Sequence, residues 1–473
     1  MTFNSYLFIL LFLPLTTICY FTASRFNKGN LYKWVLIVAS LIFYAYYDRS
    51  SLAILLSVTI LNYLLGRKIR RNHSNVTLAL GIILNIAVLS FFKYFHTLQE
   101  CFASLLRNGI SLSIIFPLGI SFLTFQQIAY LVDCFRNEVV DHSFSDYLLF
   151  ASYFPKVAQG PILYHNEFFP QLQALDRKLN FDNFAKGLYS FSIGLGKKVL
   201  LAEILGKIVD FNYGNISRLN SFEAIITILA YTFQLYFDFS GYCDMACGVS
   251  LLFNIELPQN FRSPYKALSI DEFWKRWHIT LTRFLTKYIY IPLGGNRRGV
   301  IRTYLNILIV FLISGIWHGV GLPFLIWGLF HGVAQMLSRG FKKIYSGIPR
   351  FFQWIFTFSF LNITWVYFRS DTLQNAHLLL ARVFSGGFSV NAELAESLQQ
   401  NTFISVCAQF LPITYVLIGF LALCFCIVLI PKNTADLTKK FHPKFATLLF
   451  AFLLLFCSIV SLSGVGGFLY TNF

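Results

Sequence analysis

Apolar stretches succeed one another along nearly the whole chain, and they constrain the fold more than any other feature. A helix crosses a bilayer with about 20 predominantly apolar residues, and lipid tolerates only backbone whose polar groups are bonded internally. Stretches at or near that length occupy residues 6–20, 32–47, 52–65, 76–92, 110–131, 147–157 and 188–209. Others follow at 222–236, 245–257, 304–317, 322–337, 351–368, 403–430 and 445–460. They amount to about 11 to 14 segments, and those too short to span straight are expected to be re-entrant or enclosed by protein. With 12% charged residues the chain has too little polar surface to cover a soluble domain of 473 residues, for which about 25% is ordinary. The expectation is an all-α, multi-pass membrane protein. The first segment has neither a basic leader nor a small-residue cleavage site, so a retained helix is expected there.

The net charge of +17 comes in short clusters: Arg67, Lys68, Arg70 and Arg71; Arg297, Arg298 and Arg302; Arg339, Lys342 and Lys343; Lys439, Lys440 and Lys444. In a membrane protein such clusters mark cytoplasmic loops and lipid contact, and no polar domain exists to bind nucleic acid. Nine dispersed cysteines make no disulfide framework. Cys243 and Cys247 are spaced for a metal face, but no second pair completes it, so packed thiols and no metal are expected. No internal repeat is visible, which weighs against a transporter built from inverted halves. The chain reads as one membrane domain over 1–473: N-terminal helices (1–106), a motif-dense core (107–338), then C-terminal helices with an aromatic tail (339–473).

The core places polar groups inside apolar runs, where they must face the bundle interior, a cavity or a partner. "PLGISFLTFQQIAYLVDCFR" carries Asp133 and Arg136, expected to pair, and "YFPKVAQGPI" carries Lys156 and Gln159. "YFDFSGYCDMACG" carries Asp238 and Asp244, expected to bond neighbouring helices. Over residues 271–287, Trp274, Trp277, Leu281 and Leu285 recur at helical spacing among Lys275, Arg276, Arg283 and Lys287. That pattern predicts a helix lying in the membrane interface, started by a Ser269 or Asp271 cap with Glu272 in its first turn.

Of nine histidines, His73, His96, His142, His165, His377 and His442 lie near polar residues or segment ends and are expected to be ordinary surface or interface residues. His278, His318 and His331 lie in the core. In "FLISGIWHGVGLPFLIWGLFHGV" (311–333), Gly315 and Gly319 flank His318 and are expected to let a chain or substrate approach. Ser314 and Trp317 offer a donor and a wall, and Gly321 and Pro323 break the helix, as helices that line cavities do. Histidine is also a ready proton acceptor near neutral pH. His331 ranks below His318.

Taken together, "RWHITLTRFLTKYIYIPLGGNRRG", "ISGIWHG", "YFDFSGYCDMACG", "PQNFRSPY", "PLGISFLTFQQIAYLVD" and "FPKVAQGPI" resemble the membrane-bound O-acyltransferase superfamily. The similarity is to the bacterial branch of alginate and peptidoglycan O-acetylation subunits and the teichoic acid D-alanyl transfer protein. The resemblance implies a ring of helices around a thinned centre with a funnel from each side. It implies His318 as catalytic residue and His278 as the second characteristic polar position. Trp317, Ser314, Trp277, Asp244, Gln159, Asn260 and His331 become candidates to line or support the tunnel, and Lys275, Arg276, Arg297 and Arg298 candidates for the donor's phosphates.

The donor implied is a cytoplasmic acyl thioester such as acetyl-CoA, with no bound cofactor. The acceptor implied is an exported glycan, reached directly or through an extracytoplasmic SGNH-type transferase. The end "GVGGFLYTNF" resembles the branch's aromatic tail, in which Tyr470 would relay the acyl group and Gly464, Gly466 and Gly467 would let the tail bend; a routine interface aromatic is the alternative. Alternatives for the whole chain are D-alanyl transfer to teichoic acid, a lipid or protein acyltransferase, and a non-catalytic transporter. The bacterial cytoplasmic membrane is the expected location.

Overall fold

A computed structural model describes residues 1–26, 30–106, 116–174, 178–462 and 467–469, with side chains 96–106 and 402 left aside. Among the described residues there are helices and connecting turns but no strand. The chain divides into two compact units, one of residues 1–191 and 245–258, the other of 192–244 and 259–473.

The first unit begins with a π-helical turn, Leu7–Phe12, that runs into α1 (Leu13–Arg25). Then come α2 (Leu31–Tyr47), α3 (Arg49–Asn72), α4 (Asn75–Leu106), α5 (Ile120–Phe135), α6 (Phe144–Ser152), α7 (Phe154–Val157) and α8 (His165–Gln173). Its core is a knot of phenylalanines: Phe8 lies 4.8 Å from Phe3, and Phe12 meets Phe154 edge-on at 5.3 Å. Aromatic rings favour such offset and edge contacts because ring faces are negative and ring edges positive. The expected segment 147–157 is broken at Tyr153, between α6 and α7, since Pro155 has no N–H to give the carbonyl four residues back and its ring would crowd that carbonyl in a continuous helix.

The boundary between units falls within α9 (Phe181–Gly196) and again within α11 (Ser221–Leu252). The second unit continues α9 through a π-helical turn, Lys197–Ala202, into α10 (Glu203–Gly214). Helix α11 is one helix where two segments, 222–236 and 245–257, were expected. Its polar stretch does not break it because Asp238 and Asp244 are neutralised by Lys198 and Lys197, each at 2.7 Å. Both aspartates therefore bond a neighbouring helical segment, as the sequence suggests. Next come α12 (Ile270–Trp274), α13 (Ile279–Leu285), α14 (Val300–His318), α15 (Leu322–Gly340), α16 (Lys342–Ser346) and α17 (Arg350–Arg369). The unit closes with α18 (Leu373–Arg382), α19 (Ala392–Gln399), α20 (Thr402–Ala408), α21 (Ile413–Leu429), α22 (Thr434–Lys439) and α23 (Phe445–Val460). The expected segment 403–430 divides into α20 and α21 at Pro412.

Among the described residues four helical runs are long and apolar enough to cross a membrane: Leu7–Arg25, Arg49–Asn72, Asn75–Phe95 and Val300–His318. The shorter apolar helices include α2, α5, α21 and α23.

The expected interface helix over 271–287 is not formed. Helix α12 stops at Trp274, and α13 restarts after His278, which sits in the left-handed region at φ +45°. A left-handed residue reverses the path of the chain and cannot be carried inside an α-helix. Trp274, Trp277, Leu281 and Leu285 are all buried inside the unit. The start is as expected: the Ser269 side chain accepts from the Glu272 amide, and the Glu272 carboxylate accepts from the Leu268 amide.

Candidate active site

Helices α14 and α15 form a close antiparallel hairpin. Its closeness rests on two glycines: a Cβ on Gly315 would lie 2.5 Å from the Phe324 carbonyl oxygen, and one on Gly328 would lie 2.5 Å from that of Phe311. Backbones that approach this nearly leave no room for a side chain. Of the chain or substrate that Gly315 and Gly319 were expected to admit, it is the chain that approaches, since the Phe324 backbone and ring occupy the space. The break itself is where the sequence places it: α14 ends at His318, Gly321 sits at φ +117°, and Pro323 lies in the first turn of α15.

His318 is thus the last residue of its helix, and it is buried. Three aromatic rings meet its imidazole edge-on: Trp317 at 4.7 Å, Trp327 at 5.2 Å and Phe368 of α17 at 5.1 Å. Trp317 also lies 6.3 Å from His278, so one indole neighbours both imidazoles.

The surroundings of His278 set its tautomer. The Thr280 amide donates to Asn260 Oδ1 at 3.2 Å, which identifies that atom as the oxygen. The same oxygen lies 3.1 Å from His278 Nδ1, so Nδ1 carries the proton and Nε2 the lone pair. Asn260 is held in turn, because its Nδ2 reaches the Cys243 sulfur at 3.5 Å.

His331 is pinned from two sides. The Trp274 indole N–H donates to its Nδ1 at 3.2 Å, which leaves Nε2 protonated and donating to Thr364 Oγ1 at 3.2 Å. The Thr364 hydroxyl passes its own proton to the Leu361 carbonyl at 3.0 Å. Both ring nitrogens are consumed within the fold.

Beside this hairpin lies a groove of about 230 Å³. Buried Ser314, one helical turn before His318, lines one part of it, and exposed Arg339 lines another. Between them come Thr282, Thr286, Tyr290 and Gln335. Gln335 is fixed by donating to Asp271 at 3.0 Å. The groove thus runs between exposed Arg339 and buried Ser314, and His318 itself does not line it.

The remaining candidates fall elsewhere. Lys275 is paired with Asp271, and Arg276 with Glu272 at 2.6 Å, the bases lying just past the end of α12 and the acids four residues back within it, so their charge is already matched. Arg297 and Arg298 are exposed, and among the described residues no carboxylate pairs with them. Trp277 stacks on Phe273 at 5.5 Å and lies 5.1 Å from Trp365, as part of an aromatic core. Asp244 joins Lys197 and Thr434 Oγ1, both at 2.7 Å, in a separate polar group. Tyr470 lies outside the described residues, as do Gly464 and Gly466.

Gln159 belongs to the first unit, fully buried, and neither amide atom has a hydrogen-bond partner among the described residues. In the same unit Lys156 donates to Gln126 at 2.7 Å. His165 is not a surface residue. It is completely buried and lies 2.8 Å from Asp133, which therefore turns inward to an imidazole. Proximity to polar sequence hid this, because the partner comes from another helix. Trp327, Phe368 and Thr364 complete the site and were not singled out from sequence, while Cys243 was read there only as a packed thiol. Trp327, one turn before His331 in an apolar run, was the one with a signal to follow.

The sequence is similar to that of known proteins. Residues 40–370 match the sequence model of MBOAT, the membrane-bound O-acyltransferase family. The peptidoglycan O-acetyltransferase of Helicobacter pylori is 41% identical over 410 residues, which is 79% of this chain and 78% of that protein. The probable alginate O-acetylase of Pseudomonas aeruginosa is 34% identical over 402 residues, 82% of this chain and 75% of that protein. The teichoic acid D-alanyltransferase of Bacillus subtilis is 26% identical over 217 residues, 43% of this chain and 54% of that protein.

Proposed function

The chain belongs to the membrane-bound O-acyltransferase family, and is a membrane acyltransferase; from that premise we propose that it moves an acetyl group from cytoplasmic acetyl-CoA to a hydroxyl of the exported envelope polysaccharide, in the bacterial cytoplasmic membrane. The relatives support acetyl over D-alanyl transfer: two named for O-acetylation align over about four-fifths of the chain (79% and 82%), the D-alanyltransferase over 43%.

The observation that carries the proposal is His318 buried at a helix end, one turn beyond a groove that reaches basic surface. Arg339, aided by Arg297 and Arg298, receives the phosphates of the donor, whose pantetheine arm follows the groove past Ser314. The imidazole of His318 takes the proton of the attacking hydroxyl as oxygen adds to the thioester carbonyl. Collapse of the adduct expels the thiolate, which takes up that proton. The carbonyl end of α14 carries the negative pole of the helix and favours the imidazolium formed meanwhile. General-base help of this kind is worth about 10²–10⁴-fold. His278, with its tautomer set by Asn260, packs against Trp317 and offers its Nε2 lone pair as an acceptor for an N–H or O–H of the substrates.

The first acceptor is the phenol of Tyr470. A phenol, with a pKa of about 10, surrenders its proton more readily than a sugar hydroxyl, so it asks less of the base. A separate extracytoplasmic SGNH-type transferase then passes the acetyl group to the glycan. The test uses purified full-length protein with radiolabelled acetyl-CoA, comparing wild type, His318→Gln and Tyr470→Phe. Label retained by wild type and lost from both variants is the expected result. Full labelling of His318→Gln removes the proposal.

A further inference from the structure

The second unit contains a buried ion pair outside the chemistry described above. Lys198 stands on the π-helical turn Lys197–Ala202, and Asp238 on α11. Their charged ends meet at 2.7 Å, with side chains 4% and 3% exposed. A buried pair is tolerated only when further hydrogen bonds satisfy what the two groups do not give each other. Here those bonds come from the end of the chain. Lys198 Nζ donates to the Gly467 carbonyl at 2.8 Å, and Asp238 Oδ2 accepts from the Leu469 amide at 2.9 Å. Cation meets carbonyl and carboxylate meets amide, two residues apart in the chain.

Between these two bonds lies Phe468, 2% exposed. Its ring takes the Lys198 ammonium at 4.6 Å and meets Tyr242 edge-on at 5.0 Å. A cation over an aromatic face gains most when both are removed from water. The pair thus reads the backbone on both sides of one aromatic plug. Gly467 offers no side chain to grip, so a grip on its carbonyl is the effective one. The two charges otherwise have no reason to be buried in an apolar unit, where hydrophobic residues of the same size would serve stability as well.

We infer that Lys198 and Asp238, with Tyr242 as a wall, form a docking site for the chain's own C-terminal segment and act as positioning residues for the acyl relay. The residue after Leu469 is Tyr470, so fixing the Leu469 amide fixes the point from which the accepting phenol is presented. The docking rests on the contacts just described; the positioning role rests on the relay reading of Tyr470. In that step the phenol oxygen bonds the acetyl carbon, the carbon–sulfur bond breaks, and the proton passes by way of His318 to the departing thiolate.

The test uses full-length protein in lipid nanodiscs with radiolabelled acetyl-CoA. It reads two quantities: hydrogen exchange of the Leu469 amide and acetyl label on the C-terminal peptide. The variants are the neutral double Lys198→Met/Asp238→Asn, which leaves no lone buried charge; Phe468→Ala, which removes the plug and leaves the pair; and Lys198→Arg, which keeps the cation. Expected are at least tenfold faster Leu469 exchange and at least tenfold less label in the first two, with KM for acetyl-CoA unchanged. Lys198→Arg is expected to retain a third or more of the label. Unchanged Leu469 exchange in both the double variant and Phe468→Ala overturns the docking site. Should the double variant fail to fold, Phe468→Ala still decides the matter. Altered exchange with no label on Tyr470 in wild type supports docking and overturns both the relay reading and the positioning role.

Discussion

Two imidazoles on one hairpin meet opposite treatment. Half-way along α15, His331 is clamped by Trp274 and Thr364, and each ring nitrogen is assigned its partner. At the apex, His318 is enclosed by the edges and faces of Trp317, Trp327 and Phe368 and terminates a helix. Hydrogen-bond partners on both nitrogens lock a tautomer, and a ring so locked gains or loses a proton only by breaking two bonds. Aromatic walls hold the plane of a ring by packing. Burial alone therefore does not separate a pin from a base, since both histidines are buried. Position does: His331 lies mid-helix between the two partners named, whereas His318 ends its helix, and Trp327 touches both rings, at 5.2 Å from His318 and 4.9 Å from His331.

The contrast can be broken or sharpened by substitution. Gly315→Leu is the most damaging change, because its side chain meets the Phe324 carbonyl and forces the hairpin apart. We expect no monodisperse folded protein on size-exclusion chromatography; normal yield and activity would mean that the hairpin is looser than described. Asn260→Ala releases His278 from its tautomer, and the expected effect is a fall of about 10- to 100-fold in acetyl transfer, by analogy with other lost orienting partners. An equal fall for Asn260→Asp, which keeps an acceptor oxygen, would show that orientation is not its role.

Thr364→Val removes the acceptor of His331 Nε2–H and leaves a buried donor unsatisfied, at a cost of about 1–3 kcal/mol. Thermal unfolding should register that loss, while the transfer rate of the folded fraction stays within about twofold. A stable but inactive Thr364→Val protein would move His331 into the chemistry. The smallest effect is expected for Arg339→Gln: a several-fold rise in KM for acetyl-CoA at unchanged kcat, weaker at high salt, where exposed charges are screened. An unaltered KM would take Arg339 out of the donor path.

Much of this arrangement is legible in the chain. The all-helical membrane class follows from the apolar runs, and the family motifs point to His318 and His278. Gly321 and Pro323 mark the hairpin break, and Ser269 marks a helix start. What escapes is long-range partnership. His165 looks like a surface residue until Asp133, on another helix, is placed against it. Residues 271–287 carry a clean amphipathic period, yet His278 takes a left-handed backbone that no periodicity encodes. Thr364 and Phe368 belong to an apolar helix, and only the packing of α17 selects them. Basic candidates were read as donors' partners from charge alone, and neighbouring carboxylates take up Lys275 and Arg276. Tertiary pairing decides each of these, and local sequence is silent on it.

The central claim is that the apex histidine does chemistry and the mid-hairpin histidine does not. Rapid-quench single-turnover acetyl transfer, on His318→Gln and His331→Gln proteins matched for folded fraction, addresses it most directly. The account predicts a rate for His318→Gln lower by about 10²–10⁴-fold, the usual scale of general-base help, and a His331→Gln rate within a few-fold of wild type. A His318→Gln protein that turns over at the wild-type rate, or a His331→Gln protein that is equally disabled, would contradict it.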